Sequence, residues 1–328
     1  MIGATRLPLH PRPLPHEALS SWVDRLAHAY GMERERFLRL AFGVDPAPDA
    51  GELDVDGALP GLEAALAART GVPPQRVREM TLAGYAPRLT GATEPSPGLF
   101  DDYAGRFAWF VQPLRRASDI HPAPVGSWLP WRASDLLDDL PRCCPRCLVA
   151  DAIPYARLHW RLAWMASCPL HGELLVPLAF IRDVWDRKPQ RAAPDLVALD
   201  RITLGAVTTG TAVLPRRGGP VPGGAWLRAL RTLLHEVGRP VAWFDGQGRE
   251  EVSAAWLRAV GRSLGGRHGW HRATFEGLLP EQRSVLLRVA GAAVRCQAAL
   301  PSWRGPGMML RAYVTQWSAD QVCGALPA

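Results

Sequence analysis

Lysine is almost absent from this 328-residue chain, since Lys188 stands alone among 38 basic residues and arginine supplies the rest. A phosphate-binding P-loop requires the pattern G-x4-G-K-[ST]. Lys188 lies between Arg187 and Pro189, so it cannot belong to such a loop. The sequence therefore excludes a Walker-type ATPase within this chain.

Long hydrophobic runs are also absent. The apolar stretch 174–181 is short and is bounded by Glu173 and Arg182, whereas a membrane span needs about 20 predominantly apolar residues. The segment 1–10 lacks the apolar core of a secretory signal. We therefore expect a cytoplasmic protein without a membrane segment, in a reducing compartment where clustered cysteines bind metal more readily than they form disulfides.

The overall composition is that of a globular protein, with 48% hydrophobic and 21% charged residues. The formal net charge of +7 suits a polyanionic partner such as DNA. Mild basicity is common, however, and a GC-rich genome would also explain the preference for arginine. The charge alone therefore does not identify a partner.

The cysteine spacing is the strongest signal in the chain. Two short pairs form a C-x2-C…C-x2-H pattern, and its members are Cys144, Cys147, Cys168 and His171. Zinc favours four sulfur and nitrogen ligands in a tetrahedron, and short turns of this kind supply two ligands each. The pattern predicts one structural Zn2+ site with no open coordination position, which argues for a binding protein and against an enzyme.

Two alternatives to this ligand set remain open. The four residues could be ordinary buried thiols and a surface imidazole. Cys143 could also replace Cys144, because it would form a C-x3-C pair with Cys147. We prefer Cys144 because Pro145 follows it as Pro169 follows Cys168.

Helical periodicity on both sides of this pattern predicts a mainly α fold, in which helix-turn-helix-like domains flank a small zinc-finger or zinc-ribbon module. Stretches rich in proline and glycine suggest the domain borders. We expect an N-terminal helical region at 1–98, a zinc-binding module at 99–200, a linker at 201–224 and a C-terminal helical region at 225–328.

The N-terminal region contains two candidate helix pairs. The first occupies residues 16–42, and the second is a helix-turn-helix candidate with helices at 62–70 and 75–82 around the break 71–74. If the last of these helices entered a major groove, Gln75 and Arg76 would contact base edges and Arg78 a phosphate. A helical hairpin with a solvated polar face is the alternative.

Further basic residues lie between the two cysteine pairs and in the C-terminal region. The stretch 155–165 is expected to place its apolar side chains on one face, over the metal site. Its basic members, Arg157, His159 and Arg161, are expected elsewhere on this stretch and could contact a phosphate backbone or belong to a solvated face. The C-terminal periodicity predicts helices at 226–237, 254–264, 281–299 and 308–317.

Two stretches resemble the TniQ/TnsD family of transposition target-selection proteins. The stretch R12-P-L-P-H-E-A-L-S-S-W-V-D-R-L-A27 is similar to the proline-flanked opening of the family, and C144-P-R-C147…L158-H-W-R161…C168-P-L-H-G172 resembles its zinc motif. The resemblance covers about residues 6–180. Ala18 stands where the family usually has serine, and Cys143 where an aromatic residue often occurs.

The resemblance implies a non-catalytic adaptor. Such a protein recognises a target, either by direct DNA contact or through an RNA-guided CRISPR effector complex, and recruits an AAA+ ATPase regulator that brings the transposase. Relatives that sit on an RNA-guided complex also make a homodimer plausible. These partners are expectations from the resemblance alone.

Two other functions compete with the adaptor. Zinc deaminases carry H-x-E upstream of C-x2-C, whereas His171 and Glu173 follow the C-x2-C pair here and Cys168 would have no role. A stand-alone zinc-containing DNA-binding regulator would use the hairpin 62–82 to read an operator. Three unlike regions favour the adaptor over such a regulator.

Overall fold

Helices dominate the protein. The structure, a computed structural model, describes residues 6–44, 60–85, 142–177, 189–214, 220–244, 246–261, 275, 278 and 280–297. Within these ranges the helices are α1 (Leu19–Ala29), α2 (Arg34–Phe42), α3 (Pro60–Thr70), α4 (Pro74–Arg78), α5 (Pro145–Ala150), α6 (Pro194–Thr209), α7 (Gly223–Val237), α8 (Gly246–Val260) and α9 (Pro280–Gln297). The predicted helix at 308–317 lies outside the described residues.

Short strands and 3-10 turns complete the described part of the chain. Strands β1 (Arg142–Cys143) and β2 (Val176–Pro177) pair antiparallel, as do β3 (Thr211–Ala212) and β4 (Val221–Pro222). Single 3-10 turns occupy Leu82–Tyr85, Leu158–Arg161 and Val241–Trp243. No helix among the described residues is long and apolar enough to cross a membrane.

The N-terminal helices enclose a core of their own. On α1, the side chains of Leu19, Trp22, Val23 and Leu26 are spaced by three or four residues and are fully buried. They pack with residues from α2 and α3 and with Val77 of α4. The predicted helix pair at 16–42 is confirmed.

The predicted second helix of the helix-turn-helix candidate is too long. We expected it at 75–82, but α4 ends at Arg78. The Thr81 hydroxyl donates to the Arg78 carbonyl, and a Cβ atom on Gly84 would collide with the same oxygen. The chain therefore turns back sharply after α4. The arrangement of α3 and α4 is not established as helix-turn-helix.

A second core runs from the cysteine-rich segment into the C-terminal helices. Its buried members include Cys144 and Trp164 from that segment, Leu199 from α6, Trp226 from α7 and Val289 from α9. The helices predicted at 226–237 and 281–299 correspond to α7 and α9. The helix predicted at 254–264 was placed too late, because α8 spans Gly246–Val260 and Gly261 follows it with φ +76°. The range 201–224, expected as a linker, includes the second half of α6, while the domain borders themselves stay a prediction.

Candidate metal centre

The first pair of cysteines lies at the start of a short helix. Cys144 immediately precedes α5, and Cys147 lies in its first turn. Pro145 is well suited to the first position of a helix because its missing N–H has no partner there in any case. We call residues 144–147 the first knuckle.

The second pair lies in a tight turn, residues 168–171, which we call the second knuckle. Gly172 has φ +68°, a conformation that favours glycine, and its N–H donates to the Cys168 carbonyl at 2.8 Å. Strand β1 ends directly before Cys144, and its partner β2 begins shortly after the second knuckle. The β1–β2 pairing thus brings the two knuckles together.

The four predicted ligand side chains converge on one point. The Nδ1 atom of His171 lies 3.5 Å from the Cys144 sulfur, 3.3 Å from the Cys147 sulfur and 3.8 Å from the Cys168 sulfur. All four ligand atoms lie within 4.8 Å of one another. The cluster could therefore hold a metal ion.

No disulfide accounts for this proximity. The sulfurs of Cys147 and Cys168 are 3.7 Å apart, whereas a disulfide bond is about 2.05 Å long. Cys143, the alternative ligand, is buried in β1 and does not belong to the cluster found among the described residues. Burial, with a smaller contribution from the nearby Cys144, raises the pKa of its thiol to about 12.

Hydrogen bonds among the three clustered thiols shift the pKa values of Cys147 and Cys168 in opposite directions. Hydrogen bonds with Cys144 and Cys147 lower the pKa of Cys168, whereas hydrogen bonds with Cys144 and Cys168 raise the pKa of Cys147. The hydrogen bonds thus favour one thiolate within the cluster, which the neighbouring thiols stabilise. A bound divalent cation would favour the deprotonated form of all three.

An ion pair beside the cluster joins the first knuckle to the backbone that follows the second knuckle. The Arg146 guanidinium, from the first knuckle, lies 2.7 Å from Glu173, two residues after His171. Glu173 is buried whereas Arg146 is exposed. Because the carboxylate is enclosed by protein, removal of Arg146 would leave a buried charge without its ion-pair partner.

The two segments that carried the family resemblance contact each other. The N–H of Ala18 donates to the Ala156 carbonyl, and the N–H of Ala156 donates to the Ser21 hydroxyl at 3.0 Å. Glu17 is buried, and its carboxylate pairs with Arg25 at 2.8 Å. The N-terminal motif therefore docks on the cysteine-rich segment rather than standing free in solution.

Two of the predicted nucleic-acid contacts on α4, Gln75 and Arg76, form hydrogen bonds within the protein. The Arg76 guanidinium donates to the Leu14 carbonyl and pairs with Glu79. Gln75 is exposed and donates to Glu79, while Arg78 is half-buried. Their role in DNA binding stays a prediction.

The two arginines between the knuckles also make internal contacts. Arg157 forms two hydrogen bonds with Asp151 and lies over the rings of Tyr155 and Trp160. Arg161 donates to the Ser20 hydroxyl at 3.3 Å. Both side chains thus help to join the cysteine-rich segment internally or to α1, and phosphate contact by either stays a prediction.

The stretch 155–165 departs from the expected separation of apolar and basic faces. His159 is 5% exposed. Burial, followed by the charges of His16 and Arg157, lowers its pKa to about 3. This histidine is therefore neutral and belongs to the core beside Trp160.

Sequence reasoning missed Asp200, a fully buried carboxylate on α6. Its Oδ2 atom accepts hydrogen bonds from the Ser167 N–H at 2.7 Å and from the Ser167 hydroxyl at 2.5 Å. Burial raises its pKa to about 7, although the bonds with Ser167 act in the opposite direction. The signal in the sequence was an aspartate among the apolar residues of a helix, between Leu199 and Ile202.

A comparison with known protein families identifies the family to which this chain belongs. A family model described as TniQ matches residues 8–175, slightly more than half of the 328-residue chain. The chain therefore belongs to the TniQ family, which associates it with DNA transposition. No curated protein and no solved structure matches the chain.

Proposed function

We propose that this chain is a non-catalytic transposition adaptor that recognises a target and recruits an AAA+ ATPase regulator, which in turn brings the transposase. The observation that carries the proposal is the position of the cluster: all four candidate ligands lie inside the matched segment 8–175. The N-terminal motif belongs to the same matched segment and contacts its cysteine-rich part. Both features therefore support one TniQ-type unit.

The metal in this unit is proposed to be zinc. In a tetrahedral zinc site, with Zn–S distances of about 2.3 Å and Zn–N distances of about 2.0–2.1 Å, neighbouring ligand atoms lie about 3.5–3.8 Å apart. The four distances given above range from 3.3 to 3.8 Å. Three thiolates and one imidazole are also a common structural zinc set.

A zinc ion held by these four side chains would stabilise the fold. Four protein ligands leave no position for water or substrate, so the site would contribute folding free energy rather than chemistry. This favours the adaptor over a zinc-dependent deaminase. Cys144, Cys147, Cys168 and His171 would each supply one ligand atom.

Neighbouring cysteines provide a test of the metal site. We expect Cys144→Ala to abolish zinc binding and to lower the melting temperature, because a ligand is removed. Cys143→Ala is the matched control, since it removes an adjacent buried thiol outside the cluster, and it should retain one zinc per chain. Zinc content is measured by atomic emission on the purified protein. Equal zinc content in the two variants would contradict the ligand assignment.

The partner is tested by affinity purification of the full chain from its native host. We expect co-purification of an AAA+ ATPase. The presence of CRISPR effector subunits would indicate RNA-guided targeting, and their absence together with an enriched DNA site would indicate direct DNA recognition. A specific DNA site without any ATPase would contradict the adaptor and favour a stand-alone regulator. Cys144→Ala serves as the control that lacks the metal.

A further inference from the structure

The second knuckle is supported from outside the segment that matches the TniQ family. The matched segment ends at residue 175. Residues 190–201, which comprise a short extended stretch and the first half of α6, pack against the knuckle; we call them the clamp. Two sets of contacts connect the clamp to the knuckle, and a third connects the clamp to the C-terminal helices.

The extended stretch of the clamp pairs with the backbone after the knuckle. The N–H of Leu174 donates to the Gln190 carbonyl at 2.9 Å, and the N–H of Ala192 donates to the Gly172 carbonyl at 2.9 Å. Glu173 and Arg191 face each other in an antiparallel bridge between these bonds. The clamp therefore pairs with the extended backbone at 172–174, directly after the second knuckle.

Two consecutive side chains of α6 hold the knuckle on both sides of Cys168. Asp200 accepts hydrogen bonds from the N–H groups of Ala166 and Ser167, directly before this cysteine. The Arg201 guanidinium donates to the Pro169 carbonyl, directly after it, at 3.0 Å. The backbone on each side of one candidate ligand is thus fixed by one turn of α6.

The same helix is fixed to the C-terminal helices through its first turn. Asp195 pairs with Arg258 of α8 at 2.6 Å and with Arg295 of α9 at 2.9 Å. A Cβ atom on Gly291 of α9 would lie 2.5 Å from the Asp195 carbonyl oxygen, so the two helices are in close contact. α6 thus lies between the knuckle and the C-terminal helices.

We infer that Asp200, on a helix outside the segment that matches the TniQ family, is a positioning residue for the metal site. This inference rests on metal binding by the cluster, as proposed above. Groups that orient metal ligands without touching the metal typically contribute about 10–100-fold to metal affinity. Asp200 holds the backbone of the two residues before Cys168 rather than the ligand itself, so its effect operates through the shape of the knuckle.

The test compares two aspartates of one helix in the full-length protein. Asp200→Ala should weaken zinc binding about 10–100-fold in a competition titration with a chromophoric chelator. Asp195→Ala removes the pairs with Arg258 and Arg295 but no bond to the knuckle, so its zinc affinity should equal that of the wild type. Both substitutions are expected to destabilise the fold, which makes Asp195→Ala the matched control.

Melting temperatures separate positioning from general destabilisation. A ligand stabilises the folded state by an amount that grows with its affinity. The difference between the melting temperatures in excess zinc and in excess chelator should therefore shrink in Asp200→Ala and stay unchanged in Asp195→Ala. If Asp200→Ala does not fold, Arg201→Ala removes a single bond to Pro169 and should give a smaller change in the same direction.

Three results would overturn the inference. Wild-type zinc affinity in both Asp200→Ala and Arg201→Ala would show that the clamp does not position the knuckle. Equally weakened affinity in Asp200→Ala and Asp195→Ala would assign the effect to general destabilisation. A wild-type chain that binds no zinc would overturn the proposed metal site and the inference with it, and this failure is recognisable before any substitution is made.

Discussion

At the scale of single residues, Glu236 is a half-buried residue whose carboxyl has one oxygen out of contact with water. Burial raises the pKa of Glu236, on α7, from 4.5 to about 7, and Arg239 offsets this only in part. A carboxyl with a raised pKa in the folded state stabilises the fold at low pH. That stability is lost as the pH rises from about 4.5 through about 7, because the folded protein then contains an ionised carboxylate that is poorly solvated.

We expect Glu236→Gln to remove this pH dependence. Since one pKa unit corresponds to about 1.4 kcal/mol, the free energy of unfolding of the wild type should fall by about 3 kcal/mol more than that of the variant between pH 5 and pH 8. Urea denaturation at both pH values measures the difference. The exposed Glu281→Gln is the control, and identical pH profiles for Glu236→Gln and the wild type would contradict the prediction.

Residue spacing predicted the four candidate ligands because zinc knuckles have a local geometry that short sequence patterns record. Asp200 follows His171 by almost thirty residues, so no local pattern connects the two. The ion pair between Arg146 and Glu173 was missed for a related reason. Arg146 belongs to the first knuckle and Glu173 follows the second, and only the folded chain brings them together.

At the scale of helices, two glycines differ in how closely atoms of other elements approach them. Gly291, on α9, faces the Asp195 backbone of α6, and an added Cβ would lie 2.5 Å from the carbonyl oxygen. Gly61, in the first turn of α3, has no atom within 4 Å of an added Cβ. The same substitution should therefore have opposite effects at the two positions.

We expect Gly291→Ala to destabilise the protein by about 1–3 kcal/mol, as overpacked core substitutions typically do. Gly61→Ala should stabilise it by up to about 1 kcal/mol, because alanine loses less conformational freedom in a helix than glycine. Chemical denaturation of both variants measures these changes. An unchanged free energy of unfolding in Gly291→Ala would show that α6 and α9 can move apart without loss of stability.

Helical periodicity predicted α1, α2 and α3 because their buried residues recur along one face. The end of α4 could not be predicted in this way. It depends on the contact of Gly84 with Arg78, which forms only after the chain has turned back. The stretch 155–165 was misjudged for a similar reason, since its apolar side chains pack around a single 3-10 turn rather than along one regular face.

At the scale of the whole molecule, the core that contains the cysteine cluster continues through α6 into α7, α8 and α9. Pro/Gly-rich stretches suggested borders along the chain, but composition does not record which buried surfaces meet. The hydrogen bonds between α1 and the segment around Ala156 likewise join regions that are distant in sequence. Contacts of this kind explain why helix positions were easier to predict than their arrangement.

The net charge of +7 makes DNA association a property to be measured on the whole chain. If α4 contacts duplex DNA, the double substitution Arg76→Ala/Arg78→Ala should weaken binding. It should also reduce the slope of log affinity against log salt concentration by about 0.9 for each phosphate that the variant no longer neutralises. Fluorescence anisotropy at several salt concentrations measures both quantities.

Melting curves of the same variant are required, because Arg76 also bonds to the Leu14 carbonyl. A variant that melts like the wild type and binds DNA with unchanged affinity and salt dependence would contradict a role for α4. DNA contact would then have to be sought on another part of the chain.

The orientation of His171 has a consequence for the surface around the cluster. Its Nδ1 atom faces the three sulfurs, so Nε2 is the ring nitrogen that faces away from them. A neutral imidazole that binds a metal through one nitrogen carries its proton on the other. Metal binding would thus fix a single tautomer and turn this half-buried ring into a permanent hydrogen-bond donor towards its surroundings.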